Sequence, residues 1–389
     1  MLKRLSSISV HGGENRVFES VTTPIVQTST YFFKDTHEIK AFTEGKYHHY
    51  EYGRYNNPTR EAAERKLAAL EGGGHCILFD SGMSAVAATI LGYVGSGDHV
   101  ILTDDCYRQT MQFVEAVLPK FNVDATIVPI RDYDGMEDAI RPETRLIFSE
   151  SPTNPYLNIL DIQRIAEMGK AHKVVTVIDS TFGTPYNQKP LELGIDIVIH
   201  SGTKYFGGHN DILIGAVIGE EAVLSPIREY QRIVGGVPDP HGCYLLIRGL
   251  KSCAVRIEHV NASAMKVAEF LEGHSMVRRV YYPGLPSHQD YQLASRQMKG
   301  FGAVVTFEIN GGWEETEKFL NGLELCLLAP SLGGPETLVT HPASMSYYSM
   351  PREERIKQGI LDELIRVAVG LEDTQDIIDD LNQALNKCS

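Results

Sequence analysis

Of metal-ligating or cross-linking patterns this chain has almost none. Six cysteines, Cys76, Cys106, Cys243, Cys253, Cys326 and Cys388, stand apart without a CxxC pair. That scatter excludes a zinc knuckle and a disulfide framework and implies reduced thiols. There is no HExxH motif, and the His48-His49 pair reads as part of a polar aromatic loop, so no metal is expected. Positive charge is also scarce: 36 Lys and Arg stand against 50 Asp and Glu, a net charge of −14. Such a chain lacks the basic face that sequence-independent binding to nucleic acid or to an anionic membrane requires, although a local pocket for a small anion stays open. Long apolar runs are missing, none approaching the ~20 residues of a membrane span. The start, MLKRLSSISVHGG, has no apolar core of the roughly 7–15 residues that a secretory signal needs, and a cytoplasmic protein is expected. Internal repeats and low-complexity tracts are absent as well.

What is present is a core-forming chain, 43% apolar over 389 residues. Residues 1–58 show no helical or strand periodicity and end in a turn signal, Asn57-Pro58. An arm of this length without a core of its own is expected to lie on another surface. From Thr59, REAAERKLAALEGG carries apolar residues at helical spacing and stops at a glycine cap. Short apolar runs (ILFDS, HVILTDD, ATIVPI, RLIFSES, VVTVIDS, IDIVIHS) then alternate with helical stretches. That alternation predicts a mostly parallel, doubly wound α/β domain over 59–250. Beyond a long helix the strands thin out to AVVTFEI and LIRVAVGL, predicting a smaller α+β domain over 251–389.

The segment HSGTKYFGGHND holds Lys204 just past a β-branched run, between hydroxyl residues and a Gly-Gly turn. This is the setting of a Schiff-base lysine rather than of a lysine on a solvated helix. Asp179 closes a neighbouring apolar strand, so parallel strands bring both side chains to one carboxyl edge, where such sheets bind ligands. A carboxylate and an amine at one edge point to pyridoxal 5'-phosphate, the acid pairing with the pyridinium nitrogen and the lysine forming the imine. FDSGMSAVAATI runs from a strand through Ser81-Gly82-Met83 into a helix, whose free N-terminal amides suit a phosphate. Asn154, in ESPTNP, follows another strand and is either a ring contact or a plain turn-former. Pattern alone leaves Arg366 open between a substrate clamp and a buried ion pair, and Tyr107 between a ring contact and a packing aromatic.

Together these segments resemble the cystathionine γ-synthase, γ-lyase and methionine γ-lyase family of pyridoxal-phosphate enzymes over nearly the whole chain. The likeness is carried by HSGTKYFGGHND, VIDSTFGTP, FDSGMSA, SPTNP, EYGRYNNPT and SLGGPETLVTHPA. It implies the type I fold of these transferases, with a mostly parallel seven-stranded sheet and a smaller C-terminal domain. By resemblance Lys204 is the imine lysine, Asp179 the pyridinium partner, and Tyr107 the stacking ring. Ser81, Gly82, Met83, Ser201 and Thr203 are the phosphate and lysine neighbours, and Asn154 meets the ring hydroxyl. Tyr52 and Arg54 reach the phosphate of a neighbouring subunit, so the resemblance implies a homo-oligomer with shared sites, a dimer at least and usually a tetramer. Arg366, with Ser331 beside it, clamps the substrate α-carboxylate, a task suited to the planar guanidinium.

The loop DCYRQTMQF places the family branch, because Tyr107-Arg108 is similar to plant-type cystathionine γ-synthases. Gln109 stands where a basic residue would greet a phosphorylated homoserine, and where methionine γ-lyases carry a cysteine. Arg108 and Gln109 are thus expected near the substrate's γ end, and Glu336, in GGPET, near the amino group of cysteine or of cystathionine's distal end. The resemblance implies γ-replacement joining an O-acyl- or O-phosphohomoserine to cysteine. The alternative is a γ-lyase releasing 2-oxobutanoate and ammonia, and the leaving group stays open between the two esters.

Overall fold

The computed structural model describes residues 4–388. Its larger sheet has seven strands: β1 (His75–Phe79), β2 (His99–Thr103), β3 (Asp124–Val128), β4 (Thr144–Glu150), β5 (Val175–Asp179), β6 (Ile197–Ser201) and β7 (Gly215–Gly219). Their order is β1-β7-β6-β5-β4-β2-β3, parallel except for β7, which runs against both its neighbours. The central strands are largely apolar in their middles because both faces are covered. Val100, Leu102, Leu146, Phe148 and Val177 pack into one cluster. The alternating residues Ile101, Ile147, Ile178 and Val198 pack into another, as the two-residue period of a strand requires.

The smaller sheet holds β8 (Val277–Tyr281), β9 (Val304–Ile309), β10 (Leu327–Leu328), β11 (Leu338–Thr340) and β12 (Leu364–Ala368), in the order β10-β11-β12-β9-β8. Only AVVTFEI and LIRVAVGL were expected here. The other three are hard to see in sequence: β8 alternates around arginines, and β10 and β11 are two and three residues long. The expected division at 250 falls inside one continuous helix, Pro240–Glu272. Leu246, Leu250, Ile257 and Val267 of this helix share one core with residues of both sheets.

Residues before 58 are less irregular than periodicity implies, since short helices form at Leu5–His11 and Thr36–Thr43. Seven and eight residues are too few to show a helical stripe. The helix Pro58–Glu71 starts on Asn57, whose side chain accepts from the Thr59 and Arg60 amides, and stops at Gly72 in a left-handed conformation, φ 83°. So the Asn57-Pro58 signal marks a helix cap with proline at its first position. The arm is fastened to this helix. Asn57 Nδ2 donates to the Val26 carbonyl at 2.8 Å, and the buried Lys66 ammonium pairs with Glu14 at 3.3 Å.

Candidate functional site

The chain arrives at one edge of the larger sheet five times, after β1, β2, β4, β5 and β6, and each arrival delivers a polar side chain. The result is a cavity of about 280 Å³ lined by Ser81, Gly82, Met83, Tyr107, Glu150, Asn154, Asp179, Ser201, Thr203, Lys204, Ser331 and Arg366, among others. Topology rather than sequence proximity makes the site, as in other open α/β sheets.

After β1, Ser81 takes extended dihedrals (φ −160°, ψ 160°) and its hydroxyl accepts from the Ser84 amide at 3.2 Å. This leaves the first helical amides, those of Gly82 and Met83, without a capping acceptor at the cavity wall, where they can receive an anion. The turn requires glycines. A Cβ on Gly82 would stand 3.1 Å from Ser201 Oγ, and one on Gly215 would stand 2.2 Å from the Ser81 carbonyl oxygen.

Asp179 ends β5, and one of its oxygens, Oδ1, accepts from the Thr181 amide at 2.9 Å and hydroxyl at 2.6 Å. The second oxygen is left for a partner. Burial raises the carboxyl above its usual range, against the Thr181 bonds and the His200 charge that lower it. A cation opposite Asp179 would restore its charge.

Lys204 leaves β6 on a loop held from below, where Arg256 on the long helix donates to the Tyr205 carbonyl at 2.9 Å. Its Nζ donates to Ser331 Oγ at 2.7 Å. Burial first, and the Arg366 charge second, lower its pKa from 10.5 to about 8, which keeps part of it neutral and nucleophilic near neutral pH.

Arg366, on β12, is 5% exposed. Its hydrogen bonds all go to neutral oxygens: Asn154 Oδ1 at 3.0 Å, the Ser331 carbonyl at 2.8 Å and Thr340 Oγ1 at 3.0 Å. Nε has no partner, and desolvation pulls the group down to about 10. A buried cation with no acid to answer it costs several kcal/mol, on the order of 3–5 where one partner of a buried pair is missing. No acid pairs with Arg366, so the buried-ion-pair alternative fails, and the guanidinium has the capacity to take an external carboxylate.

Tyr107 precedes the helix Arg108–Ala116, half-exposed over the cavity. Its amide donates to Glu150 Oε2 at 2.7 Å. Glu150 is a cavity residue that the sequence reading passed over, although it heads the quoted ESPTNP motif. It is 5% exposed and is the register partner of Asp179 on the adjacent parallel strand. Burial, and then the Asp179 charge, push its carboxyl well up, toward the neutral acid. Thr181, Thr340 and Ser346 were likewise not singled out. Thr181 lies two residues from Asp179, inside the quoted VIDSTFGTP, whereas Thr340 meets Arg366 from 26 residues away, a contact nothing local announces.

Five expected site residues lie outside this cavity. Arg108 lines an adjoining cavity of about 680 Å³ that shares Asn154 with the first. Gln109, the next residue of the helix, is exposed. Glu336 accepts from Asn210 Nδ2 at 2.8 Å, and Asn210 borders a cleft that shares Lys204 and Ser331. Tyr52 and Arg54 sit on the arm, with Arg54 donating to the Arg232 carbonyl and lying 5.7 Å from the Tyr52 ring centroid.

These residues fit pyridoxal 5'-phosphate on structural grounds. Uncapped amides of Gly82 and Met83 suit its phosphate, the free oxygen of Asp179 its ring nitrogen, and the depressed amine of Lys204 its aldehyde carbon. All six cysteines are buried free thiols, and no group of His, Cys, Asp and Glu among the described residues could hold a metal ion.

The chain is also similar to known proteins over nearly its whole length. The family model "Cys/Met metabolism PLP-dependent enzyme" matches residues 6–386. The chain is 46% identical over 384 residues to cystathionine gamma-synthase 1, chloroplastic, of Arabidopsis thaliana, covering 97% of this chain and 68% of that one. It is 41% identical over 382 residues to the cystathionine gamma-lyase of Bacillus subtilis, covering 97% and 98%. The crystal structure of metB from Corynebacterium glutamicum superposes with a TM-score of 0.93 at 36% identity, covering 100% of this chain and 99% of that one.

Proposed function

Because the chain belongs to the Cys/Met metabolism PLP-dependent enzymes, with their fold and pyridoxal 5'-phosphate as cofactor, we propose that it makes cystathionine from an activated homoserine and cysteine by replacement at Cγ. The bound cofactor supplies an electron sink conjugated to Cα, which makes the Cα and Cβ protons acidic. The protein does the rest. Arg366 takes the substrate α-carboxylate in its guanidinium fork, with Asn154 and Ser331 holding that fork in place. Lys204, as a free amine, would be a base of suitable strength to lift the Cα proton and to move a proton at Cβ. Asp179 would keep a proton on the cofactor's ring nitrogen, and Tyr107 would cover its ring. At Cγ the C–O bond of the ester breaks and a C–S bond to cysteine forms, the thiol proton leaving with the carboxylic or phosphoric acid. Glu336 would receive the amino group of cysteine.

The observation that carries the synthase reading is the likeness to the Arabidopsis synthase, 46% against 41% for the Bacillus γ-lyase, together with the absence of a cysteine at Gln109. The lyase alternative uses the same residues but adds no thiol at Cγ: the γ-substituent leaves, a proton is delivered to Cγ, and water hydrolyses the C–N bond at Cα to release 2-oxobutanoate and ammonia. The similarity to the Bacillus enzyme over nearly its whole length supports it. We also read residues 1–58 as an arm serving a second subunit, with 59–250 and 251–389 as the two domains, in a cytoplasmic homo-oligomer, a dimer at least. Tyr52 and Arg54 stand away from their own cavity, and Phe18, Val21 and Phe32 on the same arm are more than 80% exposed. No helix among the described residues is long and apolar enough to cross a membrane.

Product analysis by mass spectrometry decides the reaction. The holoenzyme is given acetyl-, succinyl- or phosphohomoserine, each with and without cysteine, and separately cystathionine. Cystathionine formed only with cysteine is expected and identifies the leaving group; 2-oxobutanoate and ammonia as main products would overturn the synthase reading.

A further inference from the structure

The adjoining cavity is walled by a segment without helix or strand, residues 345–350, that has unusual support. Both of its flanks converge on Asp362. His341 Nε2 meets the Asp362 carbonyl at 2.7 Å, and Arg352 and Arg355 pair with the Asp362 carboxylate. Between these anchors the segment bonds to itself, through Met345 to the His341 carbonyl and Met350 to the Tyr347 carbonyl. Among the described residues, one side-chain hydrogen bond reaches it from elsewhere in the chain: Arg108 Nη2 to Ser349 Oγ, 3.2 Å. The same guanidinium lies over the Tyr347 ring, 4.8 Å from its centroid. Its Nη1 is buried without a hydrogen-bond partner, so the ring face is what answers the charge there.

The placement has a consequence for the site. Arg108 directly follows Tyr107, and Ser346, one residue before Tyr347, lines the Lys204 cavity. We propose that Arg108 is a positioning residue that latches the 345–350 segment to the Tyr107 loop through Tyr347 and Ser349, and thereby fixes the wall opposite the reacting carbons. This holds for any amino-acid substrate and rests on the Lys204 cavity being the substrate site, not on the direction of the reaction.

A latch and an anion receptor for a phosphorylated donor make opposite demands on Arg108. Lysine keeps the charge but not the planar face that stacks on an aromatic ring. The test measures hydrogen exchange across residues 342–357 in cofactor-free and cofactor-loaded protein, and kcat/KM for acetyl-, succinyl- and phosphohomoserine. If the enzyme proves to be a lyase, cystathionine replaces the donors. The variants are Arg108→Lys, Tyr347→Ala and Tyr347→Phe. The latch predicts faster exchange at 345–350 in Arg108→Lys and Tyr347→Ala, both with and without cofactor. It also predicts a loss of about tenfold in kcat/KM shared by all substrates, with Tyr347→Phe unchanged and the double variant no worse than either single one. Unchanged exchange in Arg108→Lys and Tyr347→Ala overturns the proposal, as does a loss confined to phosphohomoserine that lysine rescues. Should Tyr347→Ala fail to fold, Arg108→Lys against Tyr347→Phe decides alone. Exchange does not depend on turnover, so a mistaken reaction leaves this readout intact.

Discussion

Lys204 and Arg366 meet on one residue, Ser331: the amine donates to its hydroxyl at 2.7 Å and the guanidinium to its carbonyl at 2.8 Å. Ser331 does this with φ at 93°, a left-handed conformation that costs a non-glycine residue about 1–3 kcal/mol. Two cations are thus held at one point without an acid between them. The Arg366 charge makes the charged form of Lys204 less favourable, and on the proposed reading an incoming amino acid would answer the guanidinium with its carboxylate.

We predict that Lys204 in the cofactor-free protein titrates near pH 8, well below the ~10.4 of an ordinary lysine. Carbamylation by cyanate, followed by peptide mass mapping across pH, measures it. The unfolded lysine titrates at its ordinary value and the folded one near 8, so between these the unfolded chain binds more protons. This group's contribution to stability therefore rises with pH across that window, and Lys204→Met should flatten the rise. Titration together with the surface lysines would refute the assignment.

Arg366→Lys should lower kcat/KM by about 10²–10³-fold, mostly through KM, because one ammonium cannot replace a two-pronged fork. Folding should survive, since the arginine's present partners are neutral oxygens that a lysine can partly satisfy. Initial rates at varied substrate show the split. A normal KM would mean that the α-carboxylate is bound elsewhere.

Asp179→Asn should retain cofactor yet lose most turnover, because the amide keeps the shape and the Thr181 contacts but cannot hold a proton on the ring nitrogen. Absorbance stoichiometry against turnover number tests this. A near-normal rate would sink the role of Asp179.

How far this could be read from residues alone follows from what each residue depends on. Lys204, Asp179 and the Ser81–Met83 turn announce themselves because a strand end, a hydroxyl or glycine turn and a reactive group lie within a dozen residues. Arg366 does not: its setting comes from Asn154, Ser331 and Thr340, between 26 and 212 residues away in the chain, and only burial without an acid separates clamp from ion pair. The larger sheet was legible through its apolar runs. GAVIG at 215–219 escaped because glycines at both ends hide a fully buried strand. Arg108 is a different case: a motif singled it out, but its contact with the Tyr347 ring, 239 residues on, could not be read from that motif.

Glu150 should tolerate glutamine but not alanine. Its carboxyl, pushed up by burial, accepts from the Tyr107 amide, a role that a glutamine carbonyl can take over, so Glu150→Gln keeps the bond and should stay within a few-fold of normal kcat. Glu150→Ala strands a buried N–H at about 1–3 kcal/mol and lets Tyr107 drift, for a loss of about tenfold or more. Visible circular dichroism of the bound cofactor should change in the alanine variant alone. A glutamine variant as poor as alanine would show that a charge, rather than a hydrogen bond, is needed.

Arg54 offers a test of the shared site that no single chain can pass. Within its own chain its guanidinium is answered by the Arg232 carbonyl and by the Tyr52 and Tyr55 rings, none of which lines the Lys204 cavity. If it serves a neighbour's phosphate, Arg54→Ala and Lys204→Ala chains are each inactive for different reasons. In a mixed oligomer, some cavities combine an intact Lys204 from one chain with an intact Arg54 from the other. Co-refolding the two variants should therefore restore a substantial part of the activity, and Arg54→Ala alone should release cofactor on dialysis more readily than the unaltered protein. A mixture as inactive as its components, with unchanged cofactor retention in Arg54→Ala, would mean that each chain builds its site alone. The exposed Phe18, Val21 and Phe32 would then need another partner.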